Sequence, residues 1–287
     1  MKKIFPPKLQ KWDEIRVISP SLSLQIISKE DQKSINEKLQ ELGYKLSFWK
    51  RTNEIDEFQS SSIESRIQDL HEAFLDASVK MVLTTVGWES SNQLLKYIDW
   101  NIIKNNPKIF CGFSDITVLN NAIYTKTGLV NYSGLCYVDF SSKNCFDSSL
   151  EYFEKCLDKS PSFEILPSKE WNDNVWYIPA ENQKNVKNEG FLVINEWEAK
   201  GTILGWNIVS FSLLKWTEYF PDLADSILFL EDCEETTVPI FDRYLQSLIH
   251  LPDFSKVKWI LIGRFQSKTQ MTKEKLIKII KTKKELG

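Results

Sequence analysis

The serine in residues 109–116, Ile-Phe-Cys-Gly-Phe-Ser-Asp-Ile, lies between an apolar run and a segment of helical spacing. We therefore expect Ser114 at the carboxyl edge of a sheet, where the ligands of open α/β sheets bind. On such a turn the hydroxyl is exposed beside a helix N-terminus, whose N–H groups can stabilise an oxyanion. The motif alone leaves two roles open, a nucleophile or a simple helix cap.

A second chemistry-bearing segment, residues 227–235, is an apolar run that ends in four acidic residues among five. Glu231 comes first after the run and is expected to be partly buried, whereas Glu234 and Glu235 fit a solvated loop. A carboxylate at a strand end can orient a histidine, act as a base or bind a metal. Because no histidine is near in sequence, we predict no metal site here.

The remaining candidates have weaker signals. His71 and His250, the two histidines of the chain, fit structural or surface positions at helices. The glycine-rich phosphate loops G-x-G-x-x-G and G-x-x-x-x-G-K-[ST] are absent, so we predict no cofactor. Trp171 and Trp176 lie in a polar stretch, where such aromatics form a binding wall or pack into a core.

These residues need a scaffold of strands and helices, and the first 140 residues have that alternating pattern. The third apolar run is continuous, as is typical of a strand buried on both faces of a parallel sheet. The pattern predicts a doubly wound, largely parallel α/β sheet of five strands. The five runs are residues 15–21, 44–49, 79–86, 108–111 and 129–133.

The pattern changes near residue 141. We predict an N-terminal α/β domain over 1–140, a polar interdomain linker over 141–188, and a smaller, β-rich C-terminal domain over 189–287. The last segment, 272–286, is a basic helix. Because a strand–helix unit of this kind usually feeds another strand, we expect the second domain to be truncated.

Composition narrows the range of partners. The 287 residues are 42% hydrophobic and 26% charged, as in an ordinary globular protein, and the formal charge of −3 gives no general attraction to nucleic acid or anionic membranes. No apolar run approaches the ~18–20 residues of a membrane span, and the N-terminus lacks a signal-peptide core. Five scattered cysteines without a C-x-x-C pair predict buried, reduced thiols. We expect a cytoplasmic protein with neither nucleic-acid nor membrane partners.

Several motifs together resemble the LD-carboxypeptidase family of serine peptidases, and most of all its microcin C immunity branch. The resemblance runs from about Ile15 to the last residue, in the family's order. The combination is more specific than any single motif. Its motifs are Ser-Asn-Gln-Leu-Leu at 91–95, Gly-Phe-Ser-Asp-Ile-Thr at 112–117, Thr-Gly-Leu-Val at 127–130, Ile-Leu-Phe-Leu-Glu-Asp at 227–232 and Phe-Asp-Arg at 241–243.

The resemblance implies a nucleophile-elbow N-terminal domain, a β-rich C-terminal domain and a Ser–His–Glu triad assembled across their interface. Ser114 matches the family's nucleophile and Glu231 matches its triad glutamate. The oxyanion hole would take the N–H of Asp115 and an N–H from the turn that ends at Trp88.

The resemblance also implies the ligand. The substrate would be a murein tetrapeptide that loses its terminal D-alanine, or an aminoacyl-nucleotide such as processed microcin C. Gly87 would line the substrate site, and Trp176 falls near an aromatic that microcin-type members use against the substrate. The family leads us to expect a homodimer.

Departures from the family pattern leave a second function open. The family's histidine follows the helix that ends this sequence, and no residue here occupies that position. Trp88 and Trp206 each replace the second glycine of a glycine pair, at a cost on the order of 1–3 kcal/mol where the backbone needs a positive φ. The sequence therefore predicts a serine hydrolase acting through Ser114 and Glu231, or alternatively a homologue that binds such ligands without cleaving them.

Overall fold

The structure is a computed structural model that describes residues 2–142, 146–157, 162–174, 184–196, 198–233 and 236–286. The chain forms two compact units, Met1–Gly190 and Phe191–Gly287. The elements of the first unit, in chain order, are β1 (Glu14–Ile18), α1 (Lys29–Glu41), β2 (Lys45–Phe48), α2 (Ile63–Leu75), β3 (Val79–Thr84), α3 (Trp100–Asn105), β4 (Ile109–Cys111), α4 (Thr117–Thr127), α5 (Phe146–Leu157), β5 (Glu170–Trp171) and β6 (Val186–Lys187).

The main sheet of the first unit has the order β2-β1-β3-β4, with every pair of neighbours parallel. Alternate residues of each strand face opposite sides. Val17 and Leu83 face a core that includes Ile35 of α1. On the other side, the ring of Phe110 stacks on Phe74 of α2, with ring centroids 6.4 Å apart. Helices therefore cover both faces, and the predicted doubly wound α/β sheet is confirmed.

The predicted fifth strand, residues 129–133, is wrong as a strand. This segment pairs at two isolated points only, Leu129 with Ile4 and Tyr132 with Cys111. The Tyr132 N–H donates to the Phe110 carbonyl at 2.9 Å. Because its residues find partners on two different segments, no continuous ladder forms.

The helix after Ser114 ends as predicted. α4 stops at Thr127, and Gly128 follows in the left-handed conformation at φ +78°. The Gly128 N–H donates to the Tyr124 carbonyl at 2.8 Å, which satisfies one of the carbonyls left free at a helix end.

The second unit has a separate parallel sheet of three strands, in the order β7 (Thr202–Asn207), β8 (Ser226–Glu231), β9 (Trp259–Ile262). Along β8, fully buried residues alternate with half-buried ones, and the strand ends at Glu231. Leu204, Leu228 and Phe241 belong to its buried core. The elements of this unit are β7 (Thr202–Asn207), α6 (Ile208–Ser212), β8 (Ser226–Glu231), α7 (Val238–Ile249), β9 (Trp259–Ile262) and α8 (Lys273–Lys281).

Two consecutive residues of β7 have left-handed backbone, Gly205 at φ +111° and Trp206 at φ +85°. A Cβ on Gly205 would lie 2.4 Å from the carbonyl oxygen of Phe229, so only glycine fits there. The Trp206 ring packs on the Phe229 ring at 5.9 Å between centroids. The strain expected of a tryptophan at a positive φ therefore exists at Trp206, whereas Trp88 has no positive φ.

No helix within the described ranges is both long enough and apolar enough to cross a bilayer.

Candidate active site

Ser114 stands on a sharp turn between β4 and α4. Phe113 before it is extended, Ser114 itself has φ +61°, and a 3-10 turn, Ser114–Ile116, leads into α4. A non-glycine residue in this left-handed region is uncommon, and such residues concentrate at functional sites. Ser114 is half-buried, at the carboxyl end of the parallel sheet.

Two glycines allow neighbouring backbone to approach this turn. A Cβ on Gly112 would lie 2.2 Å from the Thr84 hydroxyl, so β3 and β4 can meet this closely only with glycine there. A Cβ on Gly87 would lie 3.0 Å from the Ser114 Cβ and 3.1 Å from the Asp115 nitrogen. Gly87 therefore lies directly against the serine turn.

The N–H groups around Ser114 divide into two sets. The buried Cys136 thiol accepts hydrogen bonds from the backbone of Phe113 and Gly87, and burial raises the pKa of this thiol to about 12. By contrast, the N–H groups of Asp115 and Trp88 donate to no group in the described part of the chain. Unpaired N–H groups beside a serine hydroxyl are the donors that an oxyanion requires.

The Asp115 side chain points away from solvent and is 1% exposed. Its Oδ2 accepts hydrogen bonds from the Ser21 hydroxyl at 2.8 Å and from the Ser91 N–H at 2.9 Å. The Ser91 hydroxyl donates in turn to the Asp115 carbonyl at 2.9 Å. These contacts tie the turn of Ser114 to the loops after β1 and β3, and nothing in the sequence pattern indicated them.

In the second unit, Glu231 ends the central strand β8. Burial, with a smaller contribution from the charge of Asp232, raises the pKa of Glu231 to about 7. Glu231 is half-buried, as expected for the first residue after the apolar run. A carboxylate held this way attracts a cationic partner such as an imidazolium strongly, because the surroundings otherwise disfavour its charge.

Two neighbours of Glu231 were missed by the sequence analysis. Asn207, at the end of β7, lies opposite Glu231 in the strand register, and its side chain accepts a hydrogen bond from the Ser210 N–H at 2.9 Å. A Cβ on Gly263 would lie 2.9 Å from the Glu231 Cβ. The signal that could have found them is their position, since each lies at the carboxyl end of a neighbouring parallel strand.

The two histidines have local partners. His71 Nε2 accepts a hydrogen bond from the Asp99 N–H at 2.9 Å, and burial lowers its pKa. His250 Nε2 lies 2.9 Å from Nε2 of Gln246, one helical turn away. Within the described ranges, no group of three or more His, Cys, Asp or Glu residues could hold a metal ion.

Of the tryptophans considered above, the structure describes Trp88 and Trp171 but not Trp176. Trp88 is 61% exposed next to the Ser114 turn. Trp171 is half-buried in the short antiparallel pair of β5 and β6. Trp176, the predicted substrate aromatic, lies outside the described residues, as do Glu234 and Glu235.

Two regions of the chain match known family domains. Residues 15–134 match the LD-carboxypeptidase N-terminal domain, and residues 200–286 match the LD-carboxypeptidase C-terminal domain. The chain belongs to the LD-carboxypeptidase family. The family resemblance inferred from the sequence motifs is confirmed.

Individual relatives agree with this assignment. The chain is 49% identical to the putative carboxypeptidase YocD of Bacillus subtilis over 99% of the chain and 87% of that protein. Among solved structures, the MccF-like protein from Bacillus anthracis superposes with a TM-score of 0.97 at 50% identity, covering 99% of this chain and 87% of that one.

A further solved structure is that of a relative in complex with a ligand. The microcin C7 self-immunity protein MccF, in complex with aspartyl sulfamoyl adenosine, superposes with a TM-score of 0.86 at 26% identity. The alignment covers 97% of this LD-carboxypeptidase family chain and 87% of MccF.

Proposed function

We propose that this LD-carboxypeptidase family member is a serine hydrolase that cleaves an amide-type bond, with Ser114 as nucleophile and Glu231 as the carboxylate that orients the base. The observation that carries the proposal is the left-handed Ser114 between a buried strand and a helix, beside two N–H groups without described partners. This is the geometry in which a serine hydroxyl acts on an acyl carbon.

The proposed reaction proceeds in two stages. The Ser114 oxygen attacks the carbonyl carbon while a base takes its proton, and the N–H groups of Asp115 and Trp88 stabilise the oxyanion. The tetrahedral intermediate expels the amine, which receives that proton, and leaves an ester on Ser114. Water then attacks the ester while the base accepts the water's proton, and the base passes that proton to the Ser114 oxygen as the ester bond breaks, so the acid is released and the Ser114 hydroxyl is restored.

Two classes of substrate fit the proposed reaction. The ligand named with MccF joins an aspartyl group to a nucleoside through a sulfamoyl link, which favours an aminoacyl-nucleotide. A relative that is 26% identical to the chain, the probable murein peptide carboxypeptidase of Bacillus subtilis, favours a murein-type peptide. The family resemblance supports a homodimer in the cytoplasm, which we include in the proposal.

A second candidate function is a homologue that binds such ligands without cleaving them. It is favoured by His71 and His250, because each of these described histidines has another hydrogen-bonding neighbour, Asp99 for the first and Gln246 for the second. Loss of a triad member typically lowers the rate ~10³–10⁶-fold and leaves binding largely in place.

The deciding experiment measures binding and turnover together. The chain, Ser114→Ala and the control Ser34→Ala, which alters an exposed serine of α1, are each incubated with aspartyl sulfamoyl adenosine and with a murein tetrapeptide. Calorimetry records binding, and mass spectrometry records release of aspartate or D-alanine. For the hydrolase we expect release by the chain and by Ser34→Ala, with a loss of at least about 10³-fold in Ser114→Ala.

The outcomes separate the two candidates. Binding by all three proteins with no product establishes the binding homologue. Equal product release by the chain and Ser114→Ala removes Ser114 from the mechanism. Neither binding nor release with either ligand rejects both candidates.

A further inference from the structure

A buried hydrogen-bond network lies beneath the Ser114 turn and joins three separate loops of the first unit. Its negative end is the carboxylate of Asp115, the residue whose N–H is the proposed oxyanion donor. Both of its described hydrogen-bond donors come from other loops, Ser21 after β1 and Ser91 after β3. The donors stand 94 and 24 positions away in sequence.

The positive end of the network is Arg66 of α2, which is 4% exposed. One of its terminal nitrogens donates to the carbonyl of Pro20 at 3.2 Å and to the carbonyl of Ser90 at 3.1 Å. Pro20 and Ser90 are the residues immediately before Ser21 and Ser91. The guanidinium thus holds the carbonyls of the same two loops whose next residues donate to Asp115.

Further contacts close the network on the Arg66 side. The second terminal nitrogen of Arg66 donates to the Gln93 side chain at 2.6 Å. The Ser60 hydroxyl donates to the Ser21 carbonyl at 2.5 Å. Each loop is therefore fixed by a hydrogen bond to a group outside it, which leaves little freedom for any of the three to shift alone.

Burying a charged group is costly unless it is fully bonded, and the Nε of Arg66 is buried without a hydrogen-bond partner among the described residues. Stability alone therefore does not account for this arrangement. What the network does provide is a fixed geometry, because it joins the loop that bears Ser114 to the loop that bears Trp88. The two N–H groups proposed for the oxyanion belong to those two loops.

We propose that Asp115 and Arg66 are positioning residues, which act through Ser21 and Ser91 to hold the nucleophile and the two oxyanion donors at a fixed spacing. The inference rests on the proposed hydrolase function for its effect on turnover. The expected effect follows from geometry, since a displacement of about 1 Å in a reacting group can cost ~10²-fold in rate.

The test uses Asp115→Asn, which keeps the size of the side chain and removes its charge. The matched control is Asp69→Asn on α2, because Asp69 is also buried, at 3% exposure, and pairs with Arg51 at 3.1 Å instead. If Asp115→Asn fails to fold, Ser21→Ala removes a single donor to the carboxylate and takes its place. Hydrogen exchange by mass spectrometry and steady-state kinetics are measured on each full-length variant.

We expect Asp115→Asn to lose exchange protection in peptides spanning 85–95 and 112–118, with kcat reduced about 10²-fold and KM little changed. Asp69→Asn should leave protection in both peptides and kcat near those of the parent chain. Exchange in Asp115→Asn that is unchanged, or that rises evenly over the whole first unit, overturns the proposal.

The two proposals can fail separately. If the parent chain turns over neither substrate, the hydrolase proposal fails, and the exchange measurement alone decides whether Asp115 organises the turn. If the parent chain is active and Asp115→Asn has the same kcat, the hydrolase proposal stands and the positioning role is rejected.

Discussion

Glu231 is the candidate residue whose protonation is most sensitive near neutral pH. Its pKa is raised from an ordinary 4.5 to about 7, so the folded protein holds a proton there that the unfolded chain has released. The folded state binds more protons between these two pH values. The free energy of unfolding therefore decreases as the pH rises from about 4.5 to 7, whereas a base-orienting role needs the ionised form.

We predict that Glu231→Gln removes this part of the pH dependence. At pH 8 the variant should be more stable than the parent chain, by up to about 3 kcal/mol, and at pH 4 the two should be nearly equal. Urea unfolding of both proteins at several pH values checks this, with Glu41→Gln at the exposed end of α1 as control. A parallel pH dependence in parent and Glu231→Gln would contradict the burial of this charge.

The sequence indicated some of the candidate site residues and not the contacts that hold them. Ser114 and Glu231 were predictable because each directly follows an apolar run, so local pattern marked them. The contacts of Asp115 were not, because Ser21 and Ser91 are ordinary loop serines and reach Asp115 only through the tertiary fold.

At the scale of elements, β7 combines a close contact with left-handed backbone at Gly205. We predict that Gly205→Ala lowers the free energy of unfolding by about 1–3 kcal/mol more than Gly190→Ala. Both positions have positive φ, +111° and +89°, so both alanines carry the backbone penalty. Only at Gly205 does the new methyl also meet a carbonyl, 2.4 Å away, whereas nothing lies within 4 Å at Gly190.

Chemical denaturation of the two variants measures this difference. Equal losses would mean that β7 moves away from Phe229 at little cost, and that the close approach of the two strands is not needed for the fold.

Strand and helix patterns predicted most of the elements, and the exceptions have a physical reason. The runs that became β1, β3 and β4 are almost fully buried, so their apolar pattern is strong. Residues 129–133, Leu-Val-Asn-Tyr-Ser, have a weaker apolar pattern, with only Leu129 buried, and they divide their hydrogen bonds between Ile4 and β4. Pattern alone also could not separate Trp88 from Trp206, because the φ of each depends on how its turn or strand packs.

At the scale of the whole molecule, each compact unit encloses its own apolar core. Leu228 lies fully buried at the centre of the second sheet, and Ile203 on β7 is 44% exposed. We predict that Leu228→Ala costs about 2–5 kcal/mol and raises hydrogen exchange in β7, β8 and β9, with β1 and β3 unaffected. Ile203→Ala should cost much less.

Hydrogen exchange resolved along the chain distinguishes two separately unfolding units from a single cooperative core. If Leu228→Ala opens β1 and β3 to the same extent as β8, the two units unfold together and the prediction is wrong.

At residue 114 the left-handed backbone favours glycine, whereas the proposed chemistry needs a serine hydroxyl. Glycine would adopt that conformation without the roughly 1–2 kcal/mol steric penalty of a side chain, so a chain serving architecture alone would gain from exchanging this serine for glycine. Keeping a serine at the tip of the elbow therefore lowers the stability of the fold. We expect the benefit of its oxygen to lie in an interaction with a molecule outside the polypeptide.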